Sequence, residues 1–559
     1  MSRTAYLFET RSVQSFIFEG GKLRDMVAAS DQLDALCGKP LKDVLETCQL
    51  SENENIWFSR KAGGAVYAIL SDPAKAEELR SLWSFYVRKH FPGVEIVQVI
   101  ETAETVPEAI KNALEKMAQQ RNILMAQHPV PGPLIRRSPR TAQPVVKWDH
   151  SRCEWVDDAT RIKREKKQAP ASLVPKFIPA GKTFKPEQWP INLEPKEGDF
   201  PFINDDRGIA LIHADGNGIG ELLMVLGKVI ETVVSLATEQ GKSSDLLYVE
   251  LFRKFSNAME AATQAAAKDA MQAVFASIPA EDSTIPARPL VLGGDDLTIL
   301  IRADLALPFA AEFCTAFAQQ TAEKLADLYQ TVRDELGRDQ VEIEGQTYHI
   351  NRLKVLTACA GVAFIKSNQP FLQAHQLAES LCKEAKSQSR QAISAADQGT
   401  LMPAAIAFHQ VSAALIEEVK EIRKHEWSIT INKSQKELAM GAYGLDCNLP
   451  EFTKLQQLAD LFGKEKLNRS GLRQVATLLK EDTDKAQQRY ARWRDIEAAK
   501  TCTDNKPLLE QYDQLLAAIC SLESKHKIPF DSVTGKSPLV DLLLLTYLPT
   551  VPNTEGEAA

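Results

Sequence analysis

The hydrophobic pattern changes period repeatedly between residues 205 and 395. Ile209-Ala-Leu-Ile-His-Ala214 is a short, nearly continuous apolar run, the mark of a buried strand. Apolar residues then recur at helical spacing near 220–240 and 245–277, and two further strands, 289–293 and 297–302, flank a turn. A helix over about 305–336 follows, with Leu305, Phe309, Phe313, Phe317 and Leu325 on its apolar positions. A strand at 354–365 and a helix at 371–389 complete the order β-α-α-β-β-α-β-α. That order predicts a ferredoxin-like layer with helices on one face, in which the first strand lies near the turn joining the next two.

The rest of the chain divides around this unit. Lys61-Ala-Gly-Gly-Ala-Val-Tyr-Ala-Ile-Leu70 parallels Val291-Leu-Gly-Gly-Asp-Asp-Leu-Thr-Ile-Leu300, with Ala65 and Val66 where the second copy has aspartates. Residues 1–125 therefore read as an earlier copy that has lost its acids. The segment 126–204 is rich in proline and charge with little periodicity, and reads as a connector. From 396 to 559 the pattern is helical: Ala404–Lys424 and Leu455–Phe462 carry apolar residues at helical intervals, and Glu481–Lys500 alternates charges as an exposed helix does. Leu539–Leu548 is a short apolar segment, helix or buried strand, ahead of a loose tail from Pro549. The fold class expected is α+β: two ferredoxin-like units, the first degenerate, followed by a helical domain.

The candidate chemistry sits at two strand ends. The first strand runs into Ala214-Asp215-Gly216-Asn217-Gly218, and the later turn reads Gly293-Gly294-Asp295-Asp296. Magnesium takes oxygen ligands in octahedral geometry and keeps several waters, so a site usually supplies one or two carboxylates and lets substrate phosphates complete the shell. In a two-metal site one ion activates the attacking hydroxyl and the other steadies the leaving oxygen. Asp215 and Asp295 are the expected ligands, with Asp296 a further ligand or a neighbour that tunes them. Gly293 and Gly294 are expected in backbone angles closed to other residues, leaving room for a triphosphate near the main chain. Gly216, Asn217 and Gly218, with Gly220, precede a helix whose free amides can receive phosphate oxygens.

Four stretches, His213-Ala-Asp-Gly-Asn-Gly-Ile-Gly220, Arg288-Pro-Leu-Val-Leu-Gly-Gly-Asp-Asp-Leu-Thr298, Ala360-Gly-Val-Ala-Phe364 and Ala378-Glu-Ser-Leu-Cys-Lys-Glu-Ala-Lys386, fall in the order seen in a known family. Together they resemble the second palm domain of the large polymerase-like subunit of type III CRISPR effector complexes, and more distantly diguanylate cyclase domains. The opening Tyr6-Leu-Phe-Glu-Thr-Arg-Ser-Val-Gln-Ser-Phe-Ile17, with Lys22–Asp25 and Ala29-Ser30, resembles the first palm of the same subunit. The resemblance implies two palm domains and a synthase that joins ATP into cyclic oligoadenylates with two Mg2+ (or Mn2+) ions at Asp215, Asp295 and Asp296. It also implies that Lys386 contacts phosphate, with Lys383 one turn earlier as a rival, and that other CRISPR effector subunits, guide or target RNA and a second copy of the chain are partners.

Departures from that family narrow the expectation. No adjacent His-Asp pair occurs, so a compact form without the metal-dependent nuclease domain is expected. The nine cysteines include no Cys-x-x-Cys pair, which argues against zinc. Hydrophobic residues at 44% suffice for several globular cores, and 559 residues exceed one core. The scattered cysteines, no secretory signal and no spanning apolar run fit a cytoplasmic protein without a membrane partner. A net charge of −8 excludes broad coating of nucleic acid. Local RNA contact would fall to Arg136, Arg137 and Arg140, or to Arg161, Lys163, Arg164, Lys166 and Lys167. His409 reads as structural. The alternative to an enzyme is a largely non-catalytic, nucleotide-binding scaffold subunit of an RNA-guided complex. A dinucleotide-binding oxidoreductase is disfavoured, because the glycine spacing at 216, 218 and 220 is wrong and the acidic turn would be unexplained.

Overall fold

The computed structural model describes residues 2–123, 132–165, 173–183, 185–193, 200–203, 207–239, 246–276, 278, 283–343, 346–393, 401–411, 418–431, 433–445, 449–463, 466–500 and 506–548. Its first unit runs β1 (Arg3–Arg11), α1 (Val13–Phe18), α2 (Leu23–Ala35), α3 (Lys39–Thr47), β2 (Ile56–Ala62), β3 (Ala65–Leu70), α4 (Pro73–His90), β4 (Glu95–Ala103) and α5 (Val106–Arg121). The strands form an antiparallel sheet in the order β2-β3-β1-β4. A hairpin of β5 (Val145–Asp149) and β6 (Glu154–Asp157) leads into α6 (Asp158–Glu165).

The second unit comprises β7 (Gly208–Gly216), α7 (Ile219–Glu239), α8 (Leu247–Ala276), β8 (Ala287–Gly293), β9 (Asp296–Arg302), α9 (Ala303–Lys324) and α10 (Ala326–Leu336). It continues through the short hairpin β10 (Gln340–Ile343) and β11 (Gln346–His349), then β12 (Ala358–Lys366), α11 (Phe371–Gln391) and β13 (Ala405–Gln410). Within its six-stranded sheet the order β12-β7-β9-β8 repeats that of the first sheet, fourth strand beside first, then third, then second. The fold is α+β, with two ferredoxin-like units of one topology.

The nearly continuous apolar run in β7 has a direct cause. Ala210, Ile212 and Ala214 join the core shared with α8 and α9, while Ile209 and Leu211 join another core shared with α11, α1 and α2. Helices thus cover both faces, not one as the element order suggested, and alternation vanishes because neither face meets water. Phe309, Phe313 and Phe317 line one side of α9 with ring centroids 6.5 and 6.1 Å apart, each burial contributing about 1.5–3 kcal/mol. The expected 305–336 helix is broken at Leu325. There the Thr321 hydroxyl turns to the Leu356 carbonyl (2.9 Å) and accepts from the Leu356 amide (3.1 Å), tying the break to the entry of β12.

Two further expectations are corrected. The strand expected from 354 begins at Ala358, because 350–353 forms a turn of 3-10 helix after the β10–β11 hairpin. Part of the helix expected over Ala404–Lys424 is strand β13, which pairs in parallel with β12 from Cys359↔Ala405 to Phe364↔Gln410. A short apolar run such as Ala404–Phe408 is ambiguous between helix and strand. Here the strand prevails, since Ile406 and Phe408 enter one core and Ala405 and Ala407 the other. His409 is buried on this strand, its ring 5.7 Å from that of Trp427.

The C-terminal helices are Phe452–Asp460, Arg469–Leu479, Thr483–Ala499, Lys506–Ile519 and Leu539–Tyr547; the third, expected to be exposed, buries Tyr490 and Trp493. Asp482 caps the third by accepting from the Asp484 and Lys485 amides, and Arg494 reaches Asp513 in a bidentate pair at 2.6 and 2.7 Å. Asp541 is buried and accepts from the Met440 amide (2.8 Å) and the Tyr443 hydroxyl (2.7 Å). Burial pushes its carboxyl up to about 7, although those two donors pull the other way. The fold therefore favours the protonated form. Its stabilising contribution is full below the ordinary carboxyl range and is lost as pH rises from about 4 through 7. Thermal unfolding of Asp541→Asn against the parent is expected to show the parent losing on the order of 2–4 kcal/mol more between pH 5 and 8. Parallel pH profiles for the two proteins would refute this. Among the described residues no helix is long and apolar enough to cross a membrane.

Candidate functional site

The end of β7 and the β8–β9 turn lie side by side. β9 pairs with β7 through Ala214↔Leu297, and one further step of the register sets Asp215 opposite Asp296. Gly293 pairs with Asp296, so the turn itself is Gly294-Asp295. Gly294 alone has the positive φ (+63°) that other residues resist; Gly293 is ordinary strand, contrary to expectation. A Cβ at Gly293 would sit 3.7 Å from the Gly63 Cα, in ordinary van der Waals contact. The Gly63-Gly64 turn of β2–β3, with φ of +60° and +73°, thus closes against the acidic turn.

His213, Asp215 and Asp296 offer ligand atoms that all lie within 4.8 Å of one another. His213 was no candidate in the sequence, although an i, i+2 spacing on a strand puts it on the same face as Asp215. It is buried, with Nδ1 3.3 Å from the Thr298 hydroxyl, and burial lowers its pKa. Lys386 reaches this face from α11, donating to the Asp215 carboxylate and to the Gly216 carbonyl at 2.7 Å. Its rival Lys383 pairs with Glu379 at 2.6 Å. The close seating of α11 depends on Gly361 in β12, where a Cβ would lie 2.0 Å from the Ala378 carbonyl oxygen.

The turn after β7 is fixed from beneath. Asn217 is buried; its amide donates to the Thr357 carbonyl (2.8 Å), and its side-chain Nδ2 donates to the Thr357 hydroxyl (2.9 Å) and the Pro403 carbonyl (3.3 Å). That side chain anchors the loop and is not turned out to a ligand. Gly216 has no room for a Cβ beside Ile219 (2.8 Å) and Asp295 (3.0 Å), and Gly218 has φ +68° at the entry to α7.

The three carboxyls differ in charge. Burial works against ionisation at Asp215, but Lys386 and hydrogen bonds from Asp295 and Asp296 hold it below the usual range. Burial and the neighbouring Asp215 push Asp295 up to about 7. Burial, then Asp295 and Asp215, push Asp296 well above its ordinary value. Carboxylates forced together in a half-buried site and holding protons in place of charge are a donor set that a hard divalent cation fits, because cation and proton compete for the same oxygens.

Two cavities meet at this turn. One, of about 440 Å³, is lined by Thr10, Ser12, Ser30, Gly63 and Gly64 together with residues 290–296. The other, of about 700 Å³, is bounded by Tyr67, Arg60 and Arg121 on one side and by Phe252, Phe255 and Asp295 on the other.

Several of the cations expected to meet RNA are paired internally, while Arg136 and Arg137 are exposed. Arg161 pairs with Asp158 and Glu165, each at 2.6 Å. Lys163 is buried and donates to the Phe16 carbonyl at 2.8 Å, and Arg164 bridges Asp25, Asp149 and Glu154 at 2.7–2.8 Å. Arg140 pairs with Glu154 at 3.1 Å and Arg136 lies over the Trp155 ring at 5.0 Å. Interleaved acids in the connector absorb these cations and fasten it to the first unit. Lys166 and Lys167 lie outside the described residues.

No family model and no curated protein matches the chain. Several solved structures are similar to it at low identity. A chain of a Csm1-Csm4 cassette in complex with cA4 is 12% identical over 97% of this chain and 70% of its own, with a TM-score of 0.46. A chain of the Csm1-Csm4 subcomplex in the type III-A CRISPR-Csm interference complex is 13% identical over 92% and 70%, with a TM-score of 0.45. Csm1 in T. onnurineus is 13% identical over 97% and 69%, with a TM-score of 0.44. The solved structures similar to this chain are thus of Csm1, alone or with Csm4, and the similarity is low.

Proposed function

We propose that the chain is a nucleotidyltransferase that joins ATP into cyclic oligoadenylate-type second messengers in CRISPR-type antiviral defence. One observation carries this reading: Asp215, Asp296 and Lys386 gather beside Asp295, which lines both of the cavities that meet at the turn. In the reaction a ribose 3′-hydroxyl attacks the α-phosphate of a second ATP; the new P–O bond forms as the bond to the β-phosphate bridge breaks, and pyrophosphate leaves.

Asp215, Asp295 and Asp296 would hold Mg2+ or Mn2+, which when bound activates the hydroxyl and neutralises charge on the phosphates. The protein's own groups supply the rest. Lys386, which donates to Asp215, would offer a point charge to the triphosphate. Gly294 lets the main chain approach a phosphate, and the loop from Gly216 to Gly218 presents the first amides of α7. Asn217 holds that loop so that positioning, the main resource of phosphoryl-transfer chemistry, is built in before substrate arrives. Other CRISPR effector subunits, guide or target RNA and a second copy of the chain are proposed partners, in the cytoplasm.

The test is incubation of purified chain with ATP or, separately, GTP in Mg2+ or Mn2+, with products read by mass spectrometry. An oligonucleotide made from ATP and absent for Asp295→Asn/Asp296→Asn is the expected result. Metal-dependent ATP binding without product, alone and with partner subunits and target RNA, would instead establish the non-catalytic scaffold.

A further inference from the structure

The acidic turn is held by a side chain that belongs to neither of its strands. Thr263, on α8, is buried, and its Oγ1 lies 2.9 Å from the Met259 carbonyl of its own helix and 2.5 Å from the Gly294 carbonyl of the turn. A hydroxyl has one proton to give. Two oxygens 2.5 Å apart with no proton between them repel, so the proton lies on the Gly294 side. The bond back to Met259, which a helical threonine ordinarily makes, goes without it.

That proton decides which way a peptide faces. Gly293 pairs with Asp296, Gly294 has φ +63°, and Asp295 is not among the described residues with positive φ. A two-residue hairpin loop of this kind is a type II′ turn, with glycine at its first central position. Turning its central peptide over gives type I′, in which Asp295 takes positive φ. Aspartate tolerates that conformation and both types match the twist of a hairpin, so the hairpin itself does not choose between them. A trans peptide is planar, and its C=O and N–H point opposite ways. With the Gly294 carbonyl turned to α8, the Asp295 amide faces its own carboxylate and the acidic site. In the other turn the carbonyl would face that site instead.

We infer that Thr263 is a positioning residue of the acidic site: its hydroxyl holds the Gly294–Asp295 peptide with the amide toward an incoming phosphate and the carbonyl away from it. This rests on the nucleotidyltransferase reading and goes beyond it by naming what sets the turn. An amide donates to a phosphate oxygen, whereas a carbonyl oxygen repels one. A hard cation takes a carbonyl oxygen as a ligand, so turning the peptide over acts on phosphate and on metal in opposite senses.

The experiment compares Thr263→Val, which keeps the shape and removes the proton, with Thr263→Ser, which keeps the proton. Crystal structures of the wild type and the valine variant are expected to show the Gly294 carbonyl turned away from α8 in the variant. By calorimetry on the full chain, the valine variant should bind ATP in Mn2+ about tenfold more weakly, the equivalent of one charge-assisted hydrogen bond. Mn2+ without nucleotide should bind it at least as tightly as it binds the wild type. Thr263→Ser should match the wild type in both titrations. If the valine variant does not fold, Thr263→Ala, which removes the hydroxyl and adds no bulk, is read in its place. A lowered unfolding temperature with an unmoved peptide and unchanged ATP affinity would make Thr263 a packing residue and overturn the inference. A serine variant that loses as much affinity as the valine one would overturn it too. A wild type that binds no ATP in Mn2+ counts against the nucleotidyltransferase reading, and the peptide orientation in the two crystal structures still judges Thr263.

Discussion

Asp215→Asn is expected to lower the rate of oligonucleotide formation by about 10²–10³-fold or more, the range seen when a single group aimed at developing charge is removed. Asparagine fills the same volume but cannot carry the charge that a hard cation needs. The substitution should not unfold the protein. Asp215 is one of the two causes that raise the neighbouring Asp295 carboxyl, so its neutralisation relieves crowding as well as breaking the ion pair to Lys386. Both members of that pair are partly exposed, and the loss is worth about 1 kcal/mol or less. A variant with unchanged unfolding temperature and almost no product is the result that places Asp215 in the chemistry. Lys386→Met should act differently, raising KM for ATP more than it lowers kcat, because a phosphate contact made in the ground state is lost along with part of its transition-state strength. Full activity of Asp215→Asn would remove Asp215 from the mechanism.

The sequence made the second unit legible because several independent signals agreed there. The β7 run, the acidic turn and the spacing of aromatic residues along α9 each fix an element, and their order fixes the topology. Lys386 was legible only as one of two lysines; the choice depends on the side of α11 that faces β7, which the Gly361 contact decides. Other features needed the third dimension. β13 is too short and too apolar to be told from a helix without its partner β12. The connector's cations looked available because their pairing with Asp149 and Glu154 depends on the β5–β6 hairpin and, for Arg164, on Asp25, which is remote in sequence.

Gly361→Ala is expected to destabilise the fold by about 1–3 kcal/mol, and Gly361→Val by more, with the loss read from urea unfolding. The cause is contact, not backbone strain, since Gly361 has no positive φ. A Cβ would meet the Ala378 carbonyl oxygen at 2.0 Å, the Cys382 amide nitrogen at 2.4 Å and the Leu381 Cβ at 2.9 Å. Two of these are main-chain atoms of α11 and cannot swing aside as a long side chain would, so the helix must lift from the sheet. The same helix carries Lys386, whose hydrogen bonds to Asp215 and the Gly216 carbonyl depend on that seating. Activity should therefore fall even where the alanine variant is fully folded, because displacement of about 1 Å at a reacting group can cost about 10²-fold. Gly220→Ala is the matched control: it lies in the first turn of α7 with nothing within 4 Å of a Cβ, and should be neutral or stabilising by up to about 1 kcal/mol. Equal unfolding midpoints for Gly361→Ala and the parent would show that α11 is not held against β12 as closely as the Lys386 contact requires.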